Sequence, residues 1–213
     1  MDTWLFDLDD TLYPAETELM HLIRQRITGF VMRVTGLPRD EARAVQRGWF
    51  ERHGAALPGL LAEHNISVQE FLDEVHDVPL DAIAPDDELG RILDRLPGRK
   101  LVFTNGSSGH AERVLDRLGI ADRFEAIFHI ESAGLIPKPA PETFARVVEV
   151  FAFEPVRTVF FDDAERNLKT GADLGMTTVL VGPHAFASTA PFVHHRTPRL
   201  TPFLQSLPLT EPA

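Results

Sequence analysis

Phe6-Asp7-Leu8-Asp9-Asp10-Thr11-Leu12 sets three carboxylates and a hydroxyl directly after a short apolar run. A carboxylate such as Asp7 can act as a nucleophile, or as a ligand for a hard cation, if nearby positive charge keeps it ionised. Asp9 stands two residues on, with the intervening Leu8 pointing elsewhere. It can reach the same active-site mouth and do general acid/base work. The same residues could also form a solvated turn that caps a following helix.

Three further clusters favour the chemical reading. Thr104-Asn105-Gly106-Ser107 follows the apolar Leu101-Val102-Phe103 and offers a hydroxyl and backbone N–H groups at a helix start. That is a phosphate cradle, with Asn105 and Gly106 as substrate-binding candidates. Lys138 lies in Ile136-Pro137-Lys138-Pro139-Ala140-Pro141, where flanking prolines limit the backbone and could aim an ammonium group. Asp162-Asp163 ends the apolar run Val159-Phe160-Phe161. Paired carboxylates there are costly to bury unless they meet a cation, so a metal site is the economical explanation.

Something must bring these residues together. Near-continuous apolar runs at 3–6, 100–103, 126–130, 158–162 and 177–181 predict strands of a parallel sheet covered on both faces. Helices are expected at about 108–118, 140–150 and 165–174. Ser108 would cap the first, and Gly119 and Gly175 would act as C-terminal stops. In such sheets ligands sit beyond the carboxyl ends of the strands, where Asp7, Thr104 and Asp162-Asp163 all fall.

Residues 14–87 differ. They carry amphipathic patterns at about 15–34, 39–53 and 67–76, prolines at intervals and no convincing strand. A helical domain inserted after the first strand is expected there, with 1–13 and 88–213 forming the α/β core. After Gly182 the chain is rich in Pro and Thr, with one short helix expected near 199–207. His194-His195 reads as surface rather than metal-binding, since no other ligand stands nearby in sequence.

This ordered set resembles the haloacid dehalogenase superfamily of hydrolases over nearly the whole chain. The resemblance implies a Rossmann-like, doubly wound α/β core with a type-one helical cap. It implies Asp7 as nucleophile, Asp9 as general acid/base, Thr104 and Lys138 as phosphate ligands, and Asp162-Asp163 as the metal motif. Asp9 favours phosphate-ester hydrolysis within the superfamily, because a halide leaving group needs no acid there. Phe6 to Pro14, Phe103 to Ser107, His110 to Leu115, Pro137-Lys138-Pro139 and Phe161-Asp162-Asp163…Asn167 look like the pyrimidine 5′-nucleotidase branch. Two departures stand out. Asn167 occupies a position commonly Asp in relatives, leaving Asp163 as the first-choice ligand, and His53-Gly54-Ala55-Ala56-Leu57 replaces expected threonines.

On this reading Mg²⁺ is shared by Asp7, the Asp9 main-chain carbonyl and Asp163, with Lys138 opposite and Asp162 in support. These cations should hold Asp7 ionised, and Asp9 should have the higher pKa of the two. The substrate would be a small phosphorylated metabolite, a nucleoside monophosphate by branch resemblance. A sugar phosphate or phosphoglycolate is the alternative, with a phosphomutase or a catalytically silent binding protein further off. Phe30, Trp49, Phe50 and His53 are candidates for stacking on a base.

Composition limits the rest. A net charge of −11 in 213 residues argues against a nucleic-acid backbone as partner. There is no cysteine, no secretory-type start and no run near the ~18 apolar residues of a membrane span, so a cytoplasmic protein is expected.

Overall fold

The computed structural model describes residues 1–208. Six strands, β1 (Thr3–Phe6), β2 (Arg99–Phe103), β3 (Ala126–Phe128), β4 (Thr158–Asp162), β5 (Thr177–Val181) and β6 (His195–Thr197), form one sheet. Every pairing is parallel and the order is β3-β2-β1-β4-β5-β6. The chain runs outward in both directions from β1, so the switch point lies at the end of that strand.

Strand alternation builds two apolar layers. Trp4 and Phe6 of β1 join Val102, Val159 and Phe161 on one face, where Phe6 and Phe161 stack at 4.7 Å. Leu5 joins Leu101, Phe103 and Phe160 on the other, closed by Phe144 edge-on to Phe103 at 5.0 Å. Both faces of β1 and β4 are buried, which is why these strands read as unbroken apolar runs rather than alternating ones.

The helices that cover the sheet are α5 (Asp87–Arg95), α6 (Ser108–Leu118), α7 (Pro141–Phe151), α8 (Glu165–Asp173) and α9 (Leu200–Gln205). Their ends obey local chemistry. Asp86 caps α5 by accepting from Leu89 N–H at 2.8 Å. Ser107, one residue earlier than expected, caps α6 by accepting from His110 N–H. Gly119 ends α6 in the left-handed conformation.

Between β1 and α5 lie α1 (Leu19–Thr35), α2 (Arg39–His53), α3 (Leu57–Glu63) and α4 (Val68–His76). Phe30, Trp49, Leu60 and Phe71 make their shared core. Thr28 of α1 donates to Gln46 of α2 at 2.6 Å and fixes that pair of helices.

Several expectations need adjustment. The first helix begins at Leu19 rather than 15, because Ala15–Thr17 is a separate turn and Glu18 is left-handed. The strand expected over 126–130 ends at Phe128. The helices α3 and α5 and the edge strand β6 were not anticipated. His194 and His195 are exposed as expected, yet His195 opens β6 and His194 Nδ1 lies 3.0 Å from Thr178 N. The final stretch of the expected core, 209–213, lies outside the described residues.

Candidate active site

The ends of β1, β2 and β4 converge on one buried ammonium. Lys138 is 1% exposed, and its Nζ donates to Asp7 Oδ1 at 2.7 Å, Asp162 Oδ2 at 2.8 Å and the Phe103 carbonyl at 2.8 Å. An ammonium has three protons, so all are engaged. Lys138 thus holds Asp7 directly instead of offering a free donor to a phosphate, as the sequence suggested. Asn105 explains its placement: Lys138 N–H donates to Asn105 Oδ1 at 2.8 Å, and Asn105 Nδ2 donates back to the Lys138 carbonyl at 3.2 Å. The Asn105 amide thus braces the Lys138 backbone with one of its two N–H groups, and the residue also lines the cavity.

Asp7 also accepts from Thr11 Oγ1 at 3.0 Å. Burial, followed by the charges of Asp162 and Asp9, outweighs Lys138 and raises its pKa to about 7. Asp9 behaves in the opposite way. Burial pushes it up, but hydrogen bonds from His110 Nε2 at 2.8 Å and Tyr13 Oη at 2.7 Å, both to Oδ1, leave it below the usual carboxylate value. In the metal-free protein the expected order of the two pKa values is reversed: burial lifts Asp7 more than one lysine lowers it, whereas Asp9 has two good donors.

Thr104 Oγ1 accepts from Gly106 N–H at 2.9 Å, so its own hydroxyl proton stays free to donate. The Gly106 N–H is consequently used within the turn. Gly106 matters for space instead: a Cβ there would lie 3.1 Å from the His110 ring and 3.6 Å from Asp9 Oδ2. His110 in turn stacks on His76 at 4.6 Å, and His76 Nδ1 lies 3.0 Å from Ser107 Oγ.

At the end of β4, Asp162 is fully buried, and it accepts from Ala164 N–H and Asn167 Nδ2 besides Lys138. Asp163 has an exposed residue surface, yet its carboxylate lies with those of Asp7 and Asp162 within 4.8 Å. Reduced hydration, then the charges of Asp162, Asp7 and Asp10, raises its pKa well above normal. A cavity of about 480 Å³ opens over Asp7, Asp9, Thr104, Lys138 and Asp163, between the strand ends and helices α1, α2 and α4.

A haloacid dehalogenase-like hydrolase family model matches residues 1–175. The chain belongs to the haloacid dehalogenase-like hydrolase family. This hydrolase is similar to phosphate metabolism protein 8 of Saccharomyces cerevisiae, 29% identical over 195 residues, covering 83% of this chain and 60% of that protein. The N-acetylmuramic acid 6-phosphate phosphatase of Pseudomonas aeruginosa is 28% identical over 83% of this chain and 80% of its own length. A phosphatase structure of the same family from Thermococcus onnurineus superposes with a TM-score of 0.63 at 20% identity, covering 99% of this chain and all of that one. The fold class read from the sequence is thereby established.

The acidic cluster of this hydrolase suits a small hard divalent ion. Its donors are carboxylate oxygens, two of the three carboxyl groups have raised pKa values, and the buried Asn167 Oδ1 beside them has no hydrogen-bond partner. Asp163 and Asp7 would hold such an ion. Asp162, engaged by Lys138 and Asn167, orients the lysine.

Sequence reasoning assigned no role to Tyr13, His76 and His110, which surround Asp9, or to Arg166. Arg166 lies 3.8 Å over the Phe50 ring and donates to the Phe50 carbonyl, tying α8 to α2. The runs Tyr13-Pro14 and His110 to Leu115 stood out by motif likeness, which gave no clue to what they touch.

Proposed function

We propose that this hydrolase is a phosphatase of small phosphorylated metabolites, working through a covalent phosphoryl group on Asp7. The observation that carries this reading is the pairing of two adjacent acids with opposite surroundings. Asp7 is held by Lys138, and Asp9 is held by His110 and Tyr13 with Oδ2 outside those bonds.

On this reading Asp7 attacks phosphorus, the ester P–O bond breaks, and Asp9 gives a proton to the leaving oxygen. Asp9 then takes a proton from water, whose oxygen displaces the Asp7 carboxylate and releases phosphate. Asp9 is anionic at rest, so the proton reaches it when the charged ester arrives and raises its pKa. The Thr104 hydroxyl donates to a phosphate oxygen. Bound Mg²⁺ would neutralise Asp7 and the substrate phosphate together. A dehalogenase would have no use for Asp9 as an acid.

Residues 14–87 serve as the cap that covers the site and reads the leaving group. Gly54, at the end of α2, supports this: a Cβ there would collide with the Lys138 carbonyl. Nucleoside monophosphates remain the finer reading from motif likeness. Of the four proposed stacking residues only Phe50 lines the cavity, while Phe30 and Trp49 are buried in the helical core. Among the described residues no helix is long and apolar enough to cross a membrane, and a cytoplasmic setting completes the reading.

The test is phosphate release from UMP, CMP, sugar phosphates and an aryl phosphate, with Mg²⁺ and with EDTA. Mg²⁺-dependent release is expected; none from any ester would overturn the proposal.

A further inference from the structure

Helix α2 carries Arg39, Arg43 and Arg47 at a spacing of four, and all three line the cavity above Asp7. Arg24 of α1 joins them there. The acidic residues of that lining, Asp7, Asp9, Asp10 and Asp163, all come from the strand ends, so the cap side carries arginines and no carboxylate.

A row of arginines on a helix is commonly matched to acids on the same helix. Asp40 stands three residues before Arg43 and Glu51 four after Arg47, so partners are within reach. Yet among the described residues none of Arg39, Arg43 and Arg47 forms an ion pair, and Arg24 only approaches Asp10 at 4.0 Å. Three uncompensated cations thus face one cavity in a protein of net charge −11. The Lys138–Asp7–Asp162 cluster is already satisfied internally and gives them no partner.

The helix axis sets which of them a substrate can meet. The C-terminal end of α2 is fixed at the site by Gly54 against Lys138 and by Phe50 under Arg166. At about 1.5 Å rise per residue, Arg47, Arg43 and Arg39 stand about 10, 16 and 22 Å along the axis from Gly54. Arg47 therefore stands nearest the strand-end acids, Arg43 about one turn further out and Arg39 furthest along the same lining.

We propose that Arg43 and Arg47 bind a second anionic group, a carboxylate or another phosphate, on the leaving group of the ester. The inference rests on the phosphatase reading and narrows its substrate to phosphomonoesters of acidic molecules, in place of the nucleoside monophosphates that motif likeness suggests. Guanidinium forks match the planar oxygens of such groups and can grip them with two parallel hydrogen bonds.

The experiment compares esters that share a skeleton but differ in that anion: 3-phosphoglycerate against glycerol 3-phosphate, and N-acetylmuramic acid 6-phosphate against N-acetylglucosamine 6-phosphate. Wild type should favour the acidic member of at least one pair by about tenfold or more in kcat/KM, one charge-assisted contact's worth. In R43Q/R47Q that ratio should fall towards one, mostly through KM, with the melting temperature little changed because both side chains are exposed. Equal use of both members by wild type overturns the inference and leaves the phosphatase reading standing. A preference that survives R43Q/R47Q also overturns it. Failure to release phosphate from any ester, aryl phosphate included, overturns both.

Discussion

His110 Nε2 and Asp9 Oδ1 lie 2.8 Å apart although 101 residues separate them in sequence. The other ring nitrogen, Nδ1, is buried without a partner, so the Nε2–H tautomer is the economical one: a bare lone pair costs less there than an unpaired N–H. His110 thus positions Asp9 as a donor. His110→Ala should lower kcat by about 10- to 100-fold, the worth of one hydrogen bond to a charged group, with a smaller change in KM. Partial recovery is expected in His110→Asn, whose amide can still donate. Steady-state kinetics on both variants decide the matter; unchanged kcat in His110→Ala would remove His110 from the account.

Lys138 carries a structural consequence besides its place at the site. Removing it leaves Asp7 and Asp162 buried side by side with no counter-charge. Lys138→Ala should therefore be destabilised by about 3–5 kcal/mol in denaturant unfolding without metal. A loss below about 1 kcal/mol would mean that the charges are screened in some other way.

His76 gives a pH signature. Burial, then the neighbouring His110, lowers its pKa from 6.5 to about 3. Between those values the unfolded chain binds the proton and the folded one does not, so stability rises with pH through this window. The contribution is complete above pH 6.5 and is lost progressively as pH falls toward 3. From pH 7 to 5 wild type should lose about 2 kcal/mol more than His76→Asn, whose side chain does not titrate. Parallel pH–stability curves for the two proteins would contradict this.

Metal binding has a readout separate from turnover. If Asp163 and Asp7 hold the ion, millimolar Mg²⁺ raises the melting temperature of wild type, because the ion binds the folded state alone. Asp163→Asn should abolish most of that shift and most of the activity. An equal Mg²⁺-induced shift in the variant would place the ion elsewhere.

What was legible in the sequence follows from burial on both sides. The runs Trp4-Leu5-Phe6 and Val159-Phe160-Phe161 are apolar without alternation because helices cover both faces of β1 and β4, so the acids that follow them mark the strand ends. Boundaries of α6 were clear because a serine cap and Gly119 bracket it. By contrast α5 is a short helix that buries only Leu89, Gly90, Ile92 and Leu93 among charged residues, and β6 is a three-residue edge strand with an exposed histidine. Neither gives a run to detect. Lys138 was assigned to the site through the family resemblance and not from its own surroundings, since an isolated lysine defaults to the surface. His110 and His76 were invisible as neighbours of Asp9, because nothing local in sequence joins three different elements. The lowered pKa of Asp9 follows in large part from those unseen neighbours.

The most direct measurement is acid-quenched mass spectrometry of the protein during turnover of a phosphate ester with Mg²⁺. One phosphoryl increment should appear on the peptide that contains Asp7 and be absent in Asp7→Asn, which should release no phosphate. Sustained phosphate release by Asp7→Asn at the wild-type rate would contradict the account.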